Sequence, residues 1–175
     1  PTRRSSDLRY QNGTGVKKDE IEAVRLFKLA ASQGVVQAQV NLGVMYQNGA
    51  GVKKDETEAV RLYQLAVNQG FAEAQTNLGC MYEYGISVEK DEKKAAHLYE
   101  LAALQGNILA EYHLALLYSA GTGVEKDERE AARHYQSAAA GGHVTAQYVL
   151  GVMYANGTGI QKDEKEAVRL YQLAA

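Results

Sequence analysis

Residues 87–90 read Ser-Val-Glu-Lys and have the spacing of a known nucleophile motif, S-x-x-K. In penicillin-recognising enzymes the serine and lysine of this motif share one helical turn, and S-D-N and K-T-G elements complete the site. Here Ser87 falls in a predicted loop, and both additional elements are absent from the sequence. A glycine-to-serine change in a turn explains these residues better, so no catalytic residue is predicted.

The side chains that commonly bind metals are dispersed along the chain. Cys80 is the single cysteine, and the four histidines show no H-x-x-x-H spacing. Because zinc sites usually gather their ligands at such short separations, neither a metal nor any other cofactor is predicted. One cysteine also excludes an internal disulfide framework, which leaves the redox compartment open. The histidines are His97, His113, His134 and His143.

The charge balance excludes several classes of partner. Nineteen Lys and Arg residues oppose twenty-one Asp and Glu residues, and the formal net charge is −2. Without a basic field, the chain is not expected to bind nucleic acid or an anionic membrane surface. No apolar run reaches the length of a membrane span or of a signal-peptide core. The chain as given is therefore expected to be soluble, and no compartment is indicated.

The strongest pattern is a repeat of 36 residues that runs through nearly the whole chain. Asp55 lies between a lysine and a glutamate, and the same triplet recurs around Asp19, Asp91, Asp127 and Asp163. A fixed period of this length is typical of a solenoid built from small helical units. The hydrophobic fraction of 46% is ample for a core, which should be elongated.

Each repeat predicts two helices. The first, named the A helix, carries an apolar stripe at spacings of three and four, as at Leu42 and Tyr46. The second, named the B helix, has Asp55 as its N-cap and Glu58 three residues later, which predicts a capping box. A helices are expected near 37–48, 73–84, 109–120 and 145–156, and B helices near 19–33, 55–69, 91–105, 127–141 and 163–175.

Recurring glycines separate and punctuate these helices. Gly49 and Gly51 are expected in the turn after the A helix, and Gly70 is expected to end the B helix. Gly43 lies inside the A helix, where glycine costs about 1 kcal/mol relative to alanine. Such a position predicts that another helix crosses there with its backbone close. Ala115 takes the same slot in one repeat.

Together these residues resemble the Sel-one-like repeat, a relative of the tetratricopeptide repeat. The pattern A-x-x-x-L-G-x-x-Y-x-x-G-x-G-V-x-x-D, followed by a helix ending A-x-x-G, covers nearly everything after Leu8 and departs at Ser87, Ala115 and His134. The resemblance implies an all-α, right-handed superhelical α-solenoid of antiparallel helix pairs that acts as a scaffold without chemistry of its own. A cysteine-rich branch of this family has been linked to penicillin binding, which keeps a penicillin-recognising hydrolase as the alternative.

The two ends of the chain depart from the repeat. Residues 1–9 are interpreted as a degenerate or non-native segment, and residues 10–175 as an array of about four and a half repeats, truncated at its C-terminus. The last B helix is expected to expose Val168, Tyr171 and Leu173 on a side where another A helix would pack. Because terminal repeats normally need a polar outer face, this fragment is expected to self-associate.

The predicted binding site is a concave groove lined by the A helices. Nine of the twelve tyrosines recur in two packing slots, and three do not. The resemblance to tetratricopeptide arrays implies that those three, Tyr84, Tyr112 and Tyr148, line the inner surface, where exposed rings favour a protein or peptide partner. The alternative is that they only cover neighbouring helices. The groove floor is predicted to consist of Val40, Val44, Thr76, Cys80, Tyr112, Leu116, Tyr148 and Val152, with Gln37, Tyr84 and Asn156 at its margins.

Overall fold

The computed structural model describes residues 19–175, and the predictions for residues 1–9 fall outside this range. The described part consists of helices joined by short turns. In chain order these are α1 (Glu20–Ser32), α2 (Val36–Asn48), α3 (Glu56–Val67), α4 (Ala72–Tyr84), α5 (Glu92–Ala103), α6 (Ile108–Ala120), α7 (Glu128–Ala140), α8 (Val144–Asn156) and α9 (Glu164–Leu173). The A helices are α2, α4, α6 and α8, and the B helices are α1, α3, α5, α7 and α9.

The helices stack in the order in which they occur in the chain. Each one packs against the helix before it and the helix after it. Their buried side chains form a series of hydrophobic clusters along the array rather than one central core. The A helices begin at residues 36, 72, 108 and 144, so the 36-residue period of the sequence is also the period of the structure. The all-α repeat fold is thus confirmed, while its right-handed superhelical sense stays a prediction.

The B helices begin at the predicted caps, but the capping boxes do not form. Asp55 Oδ1 accepts a hydrogen bond from the backbone N–H of Glu58 at 3.0 Å, and the equivalent aspartates cap the other B helices. The Glu58 carboxylate instead accepts two hydrogen bonds from Arg61, at 2.8 and 2.7 Å. The N–H of Asp55 donates to the carbonyl of Tyr46 at 2.9 Å. A guanidinium one turn away is the stronger partner for the carboxylate, and the cap amide is already satisfied.

Aromatic rings, and not a helix backbone, require glycine inside the A helices. A Cβ added to Gly43 would lie 2.5 Å from Cε1 of Tyr63, and the same tyrosine slot closes on the equivalent glycines of the other repeats. The B helix crosses at this point as predicted, but it presents a side chain. Close approach of a backbone occurs in the turns instead. At Gly159, where φ is +66°, a Cβ would lie 2.0 Å from the carbonyl oxygen of Glu128.

Candidate functional site

The predicted groove residues all lie on A helices, but their exposure differs widely. Tyr84 and Tyr148 are 60% and 57% exposed, which makes them the two most accessible of the predicted aromatic contacts. Gln37 and Asn156, predicted at the margins, are exposed as well. The partly exposed members are Val44, Cys80, Tyr112, Leu116 and Val152.

Two predicted floor residues are buried. Val40 and Thr76 are 0% and 1% exposed, so the prediction that they present an accessible surface is wrong. Val40 belongs to the hydrophobic cluster that contains Leu78 of the following repeat. Thr76 Oγ1 donates a hydrogen bond to the carbonyl of Ala72 at 3.0 Å. A small side chain in this slot is covered by its neighbours, whereas the larger Tyr112 in the same slot stays partly exposed.

Tyr112 contributes to packing as well as to the surface. Its ring stacks on His143 with centroids 4.2 Å apart and meets Tyr135 edge-on at 6.1 Å. It also meets His113 edge-on at 5.9 Å. Aromatic pairs in such arrangements add about 0.5–1.5 kcal/mol beyond their buried area. The alternative interpretation, in which these tyrosines cover neighbouring helices, therefore applies in part to Tyr112.

Next to Tyr112 the structure assembles a cluster of four functional side chains from three helices. The hydroxyl of Tyr99 donates to Glu83 Oε2 at 2.6 Å and lies 3.2 Å from Cys80 Sγ. His113 Nε2 lies 3.7 Å from the same sulfur. His113 Nδ1 lies 3.4 Å from Glu83 Oε2, an ion-pair contact that is not aligned as a hydrogen bond. The imidazole is thus placed between a thiol and a carboxylate.

Local contacts determine the charge states in this cluster. Burial alone would lower the pKa of His113, but Cys80 and Glu83 outweigh it and raise that pKa to about 9. Burial alone would raise the pKa of Glu83, but His113 and Tyr99 outweigh it and hold the pKa below its usual value. Burial, together with Cys80 and Glu83, raises the pKa of Tyr99. At neutral pH a protonated imidazole therefore faces an ionised carboxylate.

The raised pKa of His113 predicts a pH-dependent stability. The group binds its proton more tightly in the folded chain, with a pKa of about 9 against an ordinary value of 6.5. Its stabilising contribution is therefore complete below the lower value and is lost as the pH rises through the higher one. We expect the free energy of unfolding to fall between pH of about 6 and about 9.5, and to fall less in His113→Asn. Urea titrations of both proteins measure this, and identical pH dependence would contradict the assignment.

A second polar pair distinguishes the repeat that begins with α6. His134 occupies the slot that holds Leu98 one repeat earlier and Leu62 two repeats earlier, and it is 6% exposed. Its Nδ1 lies 2.5 Å from Glu111 Oε2, and its Nε2 lies 2.9 Å from the Arg133 guanidinium. Because a guanidinium only donates, Nε2 is the acceptor and the ring proton on Nδ1 is donated to Glu111. The pair is buried among packing residues and is structural.

Clefts also open on the B-helix side of the array, and their linings repeat. One cleft of about 550 Å³ is lined by residues that include Gln39 and Leu42. A cleft of about 470 Å³ is lined by residues three repeats later, which include Gln147 and Leu150. A lining that recurs with the period of the array reflects helix packing rather than a surface shaped for one ligand.

Comparison with known proteins places this architecture in a family. The family model for the Sel1 repeat matches the chain five times, over residues 5–35, 36–71, 72–107, 108–143 and 144–175. The chain belongs to the Sel1 repeat family. Sel1 repeat proteins are typically scaffolds for protein–protein interactions. Among curated proteins no significant match is found.

Solved structures of Sel1 repeat proteins share the fold. A Sel1 repeat protein from Oxalobacter formigenes is 38% identical, with a TM-score of 0.93 over 98% of this chain and 70% of that one. A protective antigen of uropathogenic Escherichia coli with an SLR fold is also 38% identical, with a TM-score of 0.90 over 98% of this chain. This chain spans only 37% of the antigen's length. Helicobacter pylori cysteine rich protein B is 25% identical, with a TM-score of 0.60 over 79% of this chain and 99% of that one.

Within the Sel1 array the S-x-x-K residues have structural partners. Ser87 replaces a turn glycine at a φ of +57°, and its hydroxyl lies 2.7 Å from Thr57 Oγ1. Lys90 Nζ lies 2.6 Å from Glu92 Oε1. The serine and the lysine are each engaged elsewhere, so this geometry gives no support to the hydrolase alternative.

Two features are absent from residues 19–175. No group of three or more His, Cys, Asp or Glu side chains in that range is arranged to hold a metal ion. No helix in the same range is long and apolar enough to cross a membrane.

Sequence analysis missed Glu83 and His113 as members of the site. Ligand spacings along the chain do not reveal them, because these side chains meet only across neighbouring repeats. Their slots do differ from those 36 residues earlier, where Val44, Gln47 and Asn77 stand in place of the thiol, the carboxylate and the imidazole.

Proposed function

We propose that this Sel1 array is a non-catalytic scaffold that binds a protein or peptide partner along the exposed face of its A helices. The observation that supports this most directly is the exposure of Tyr84 and Tyr148 on helices that carry little charge. The four A helices contain no Lys or Arg, and the basic residues of the described range lie on the B helices and turns. Three glutamates, Glu73, Glu83 and Glu111, are the only acidic residues of the A helices.

This surface chemistry favours a partner with apolar or aromatic anchors and a neutral or weakly basic character. Tyrosine rings provide contact area at small entropic loss, and their hydroxyls can bond to a partner's backbone. The exposed amides of Gln37 and Asn156 add polar contacts at the margins. An acidic peptide would meet the exposed Glu73 with no lysine or arginine on the A helices to compensate. Binding of an extended or helical peptide at about micromolar affinity, roughly 8 kcal/mol, is expected.

Substitution of the two exposed tyrosines tests the proposal. Tyr84→Asn and Tyr148→Thr each introduce the residue that another repeat carries in the same slot, Asn48 and Thr76 respectively. Each substitution is expected to weaken binding by about 1–3 kcal/mol, because a contact aromatic is lost while the helix keeps its packing. The partner is first captured by pull-down and identified by mass spectrometry, and its affinity for each variant is then measured by calorimetry.

A matched control lies on the opposite side of the array. Leu104 follows α5, is 85% exposed, and corresponds to Asn68 in the preceding repeat. Leu104→Asn should leave the affinity unchanged. If the tyrosine variants bind as tightly as the parent while this control binds weakly, the B-helix side is the docking surface and the proposal is wrong.

The isolated 175-residue chain is also proposed to self-associate through α9. Val168 and Leu173 are 54% and 53% exposed, whereas Val24 in the slot of Val168 is 5% exposed beneath an A helix. Tyr171 is less exposed than predicted, because its ring lies 5.7 Å from that of Tyr148. Light scattering at rising concentration should show association in the parent and none in Val168→Glu/Leu173→Glu. A parent that stays monomeric at all concentrations would contradict this.

A further inference from the structure

At one junction between repeats a thiol, a carboxylate and an imidazole replace the inert side chains of the junction 36 residues earlier. At that earlier junction the hydroxyl of Tyr63 donates to Gln47 Oε1 at 2.8 Å, and Val44 and Asn77 occupy the remaining slots. The tyrosine is retained one repeat later, while all three other slots change together. The corresponding residues there are Cys80, Glu83, Tyr99 and His113.

We propose that Cys80 is an activated thiol that undergoes exchange with low-molecular-weight disulfides, with His113 as the cation that stabilises its thiolate and Glu83 as the residue that positions His113. His113 Nε2 lies 3.7 Å from Sγ, and its other ring nitrogen lies 3.4 Å from the Glu83 carboxylate. Stacking on Tyr99, with centroids 4.8 Å apart and planes 12° from parallel, fixes the imidazole ring. A thiol beside a cation that a carboxylate and an aromatic ring hold in place has the parts of an activated nucleophile.

The exchange step balances without an external oxidant. The Cys80 thiol releases its proton to water, and the neighbouring His113 imidazolium stabilises the thiolate, which is the attacking form. The thiolate attacks one sulfur of R–S–S–R, so a new S–S bond forms to Cys80 as the original S–S bond breaks. The departing thiolate takes up a proton from water. The products are one mixed disulfide on Cys80 and one free thiol.

The position of Cys80 favours exchange over acyl transfer. Residue 80 lies inside α4, so its backbone N–H is bonded within the helix and is not available to an oxyanion. Disulfide exchange needs no oxyanion hole, because the leaving group is a thiolate. Cys80 is partly exposed, and the accessible Tyr84 lies one turn further along the same helix.

His113 supplies the positive charge beside the sulfur. Burial and the neighbouring His113 lower the pKa of His143, which stacks on the far side of Tyr112 and is therefore mainly neutral at neutral pH. The titratable groups that interact with Cys80 come from four helices: Tyr63 on α3, Tyr84 on α4, Tyr99 on α5 and His113 on α6. Glu83 of α4 contacts the last two of them.

Reaction with Ellman's reagent, followed as a function of pH, tests the proposal. The reference is Cys80→Val/Val44→Cys, which moves the only thiol to the equivalent, partly exposed slot beside Gln47 and Asn77. At pH of about 6 the parent should react about tenfold faster than this reference. His113→Asn should reduce the rate to that of the reference, and Glu83→Gln should shift the pH profile. Both substitutions introduce the residue of the preceding repeat.

A transplant provides a second and independent arm. Adding Gln47→Glu and Asn77→His to the reference rebuilds the cluster around Tyr63. The moved thiol should then react about tenfold faster with Ellman's reagent than it does in the reference. Incubation with glutathione disulfide should give one mixed disulfide by intact mass in the parent, faster than in the reference. The proposal is overturned if Cys80 reacts no faster than the moved thiol, or if the transplant gains nothing. These arms remain decisive even if His113→Asn does not fold.

Discussion

Truncation of Leu78 to alanine is expected to lower the free energy of unfolding by about 2–5 kcal/mol, because the change leaves a cavity at a junction between repeats. Leu78 is 1% exposed and belongs to a cluster that joins Val40 of α2, Tyr63 of α3 and Leu98 of α5. In a solenoid each repeat is stabilised mainly by its neighbours, so a cavity at such a junction weakens two interfaces at once. Denaturant unfolding followed by far-ultraviolet circular dichroism measures the effect.

The matched control for this experiment makes the same chemical change at the surface. Leu104→Ala removes the same atoms from a side chain that is 85% exposed, and its effect should stay within about 0.5 kcal/mol. A lower midpoint with an unchanged slope would mean that the array still unfolds as one unit. A Leu78→Ala protein as stable as the Leu104→Ala protein would contradict the packing described for this junction.

The fold could be predicted closely because its information is local and repeated. Each B helix begins one residue after its predicted aspartate cap, and each A helix begins one residue before the predicted start. Five copies of one pattern reinforce the assignment, so a departure such as Ser87 does not change it. The prediction of capping boxes was wrong because it did not include a contact from outside the local pattern. The amide of Asp55 is satisfied by Tyr46 from the preceding A helix, and Glu58 is then free to bind Arg61.

The candidate site was predicted less completely because it is formed between repeats. Variation between repeats led to the prediction of Cys80 and Tyr112, but variation alone does not distinguish a covered slot from an open one. Val40 and Thr76 vary as much as the tyrosines and are nevertheless buried. The approach of His113 to Cys80 joins residues 33 positions apart, and it depends on how neighbouring A helices lie side by side. That spacing follows from packing, which the sequence pattern does not specify.

The pair between His134 and Glu111 is expected to contribute strongly to the stability of the array. In the two preceding repeats the equivalent slots hold leucine and glutamine, and the glutamine accepts a hydrogen bond from a second glutamine at the end of the B helix, as Gln39 does from Gln69 at 2.9 Å. In this repeat Gly141 occupies the slot of the second glutamine. The imidazole therefore supplies the hydrogen-bond donor that glycine does not.

His134→Leu is accordingly expected to destabilise the chain by about 2–3 kcal/mol, although it restores the leucine of the other repeats, because it leaves the largely buried Glu111 carboxylate without its donor. Glu111→Gln alone should change stability by under about 1 kcal/mol, since the amide oxygen still accepts from the imidazole. The double variant should recover most of the loss, and a coupling energy of about 2 kcal/mol in this cycle is expected from denaturant unfolding. If the effects of the two single substitutions simply add, the imidazole is not the donor on which the carboxylate depends, and His134 contributes only its packing.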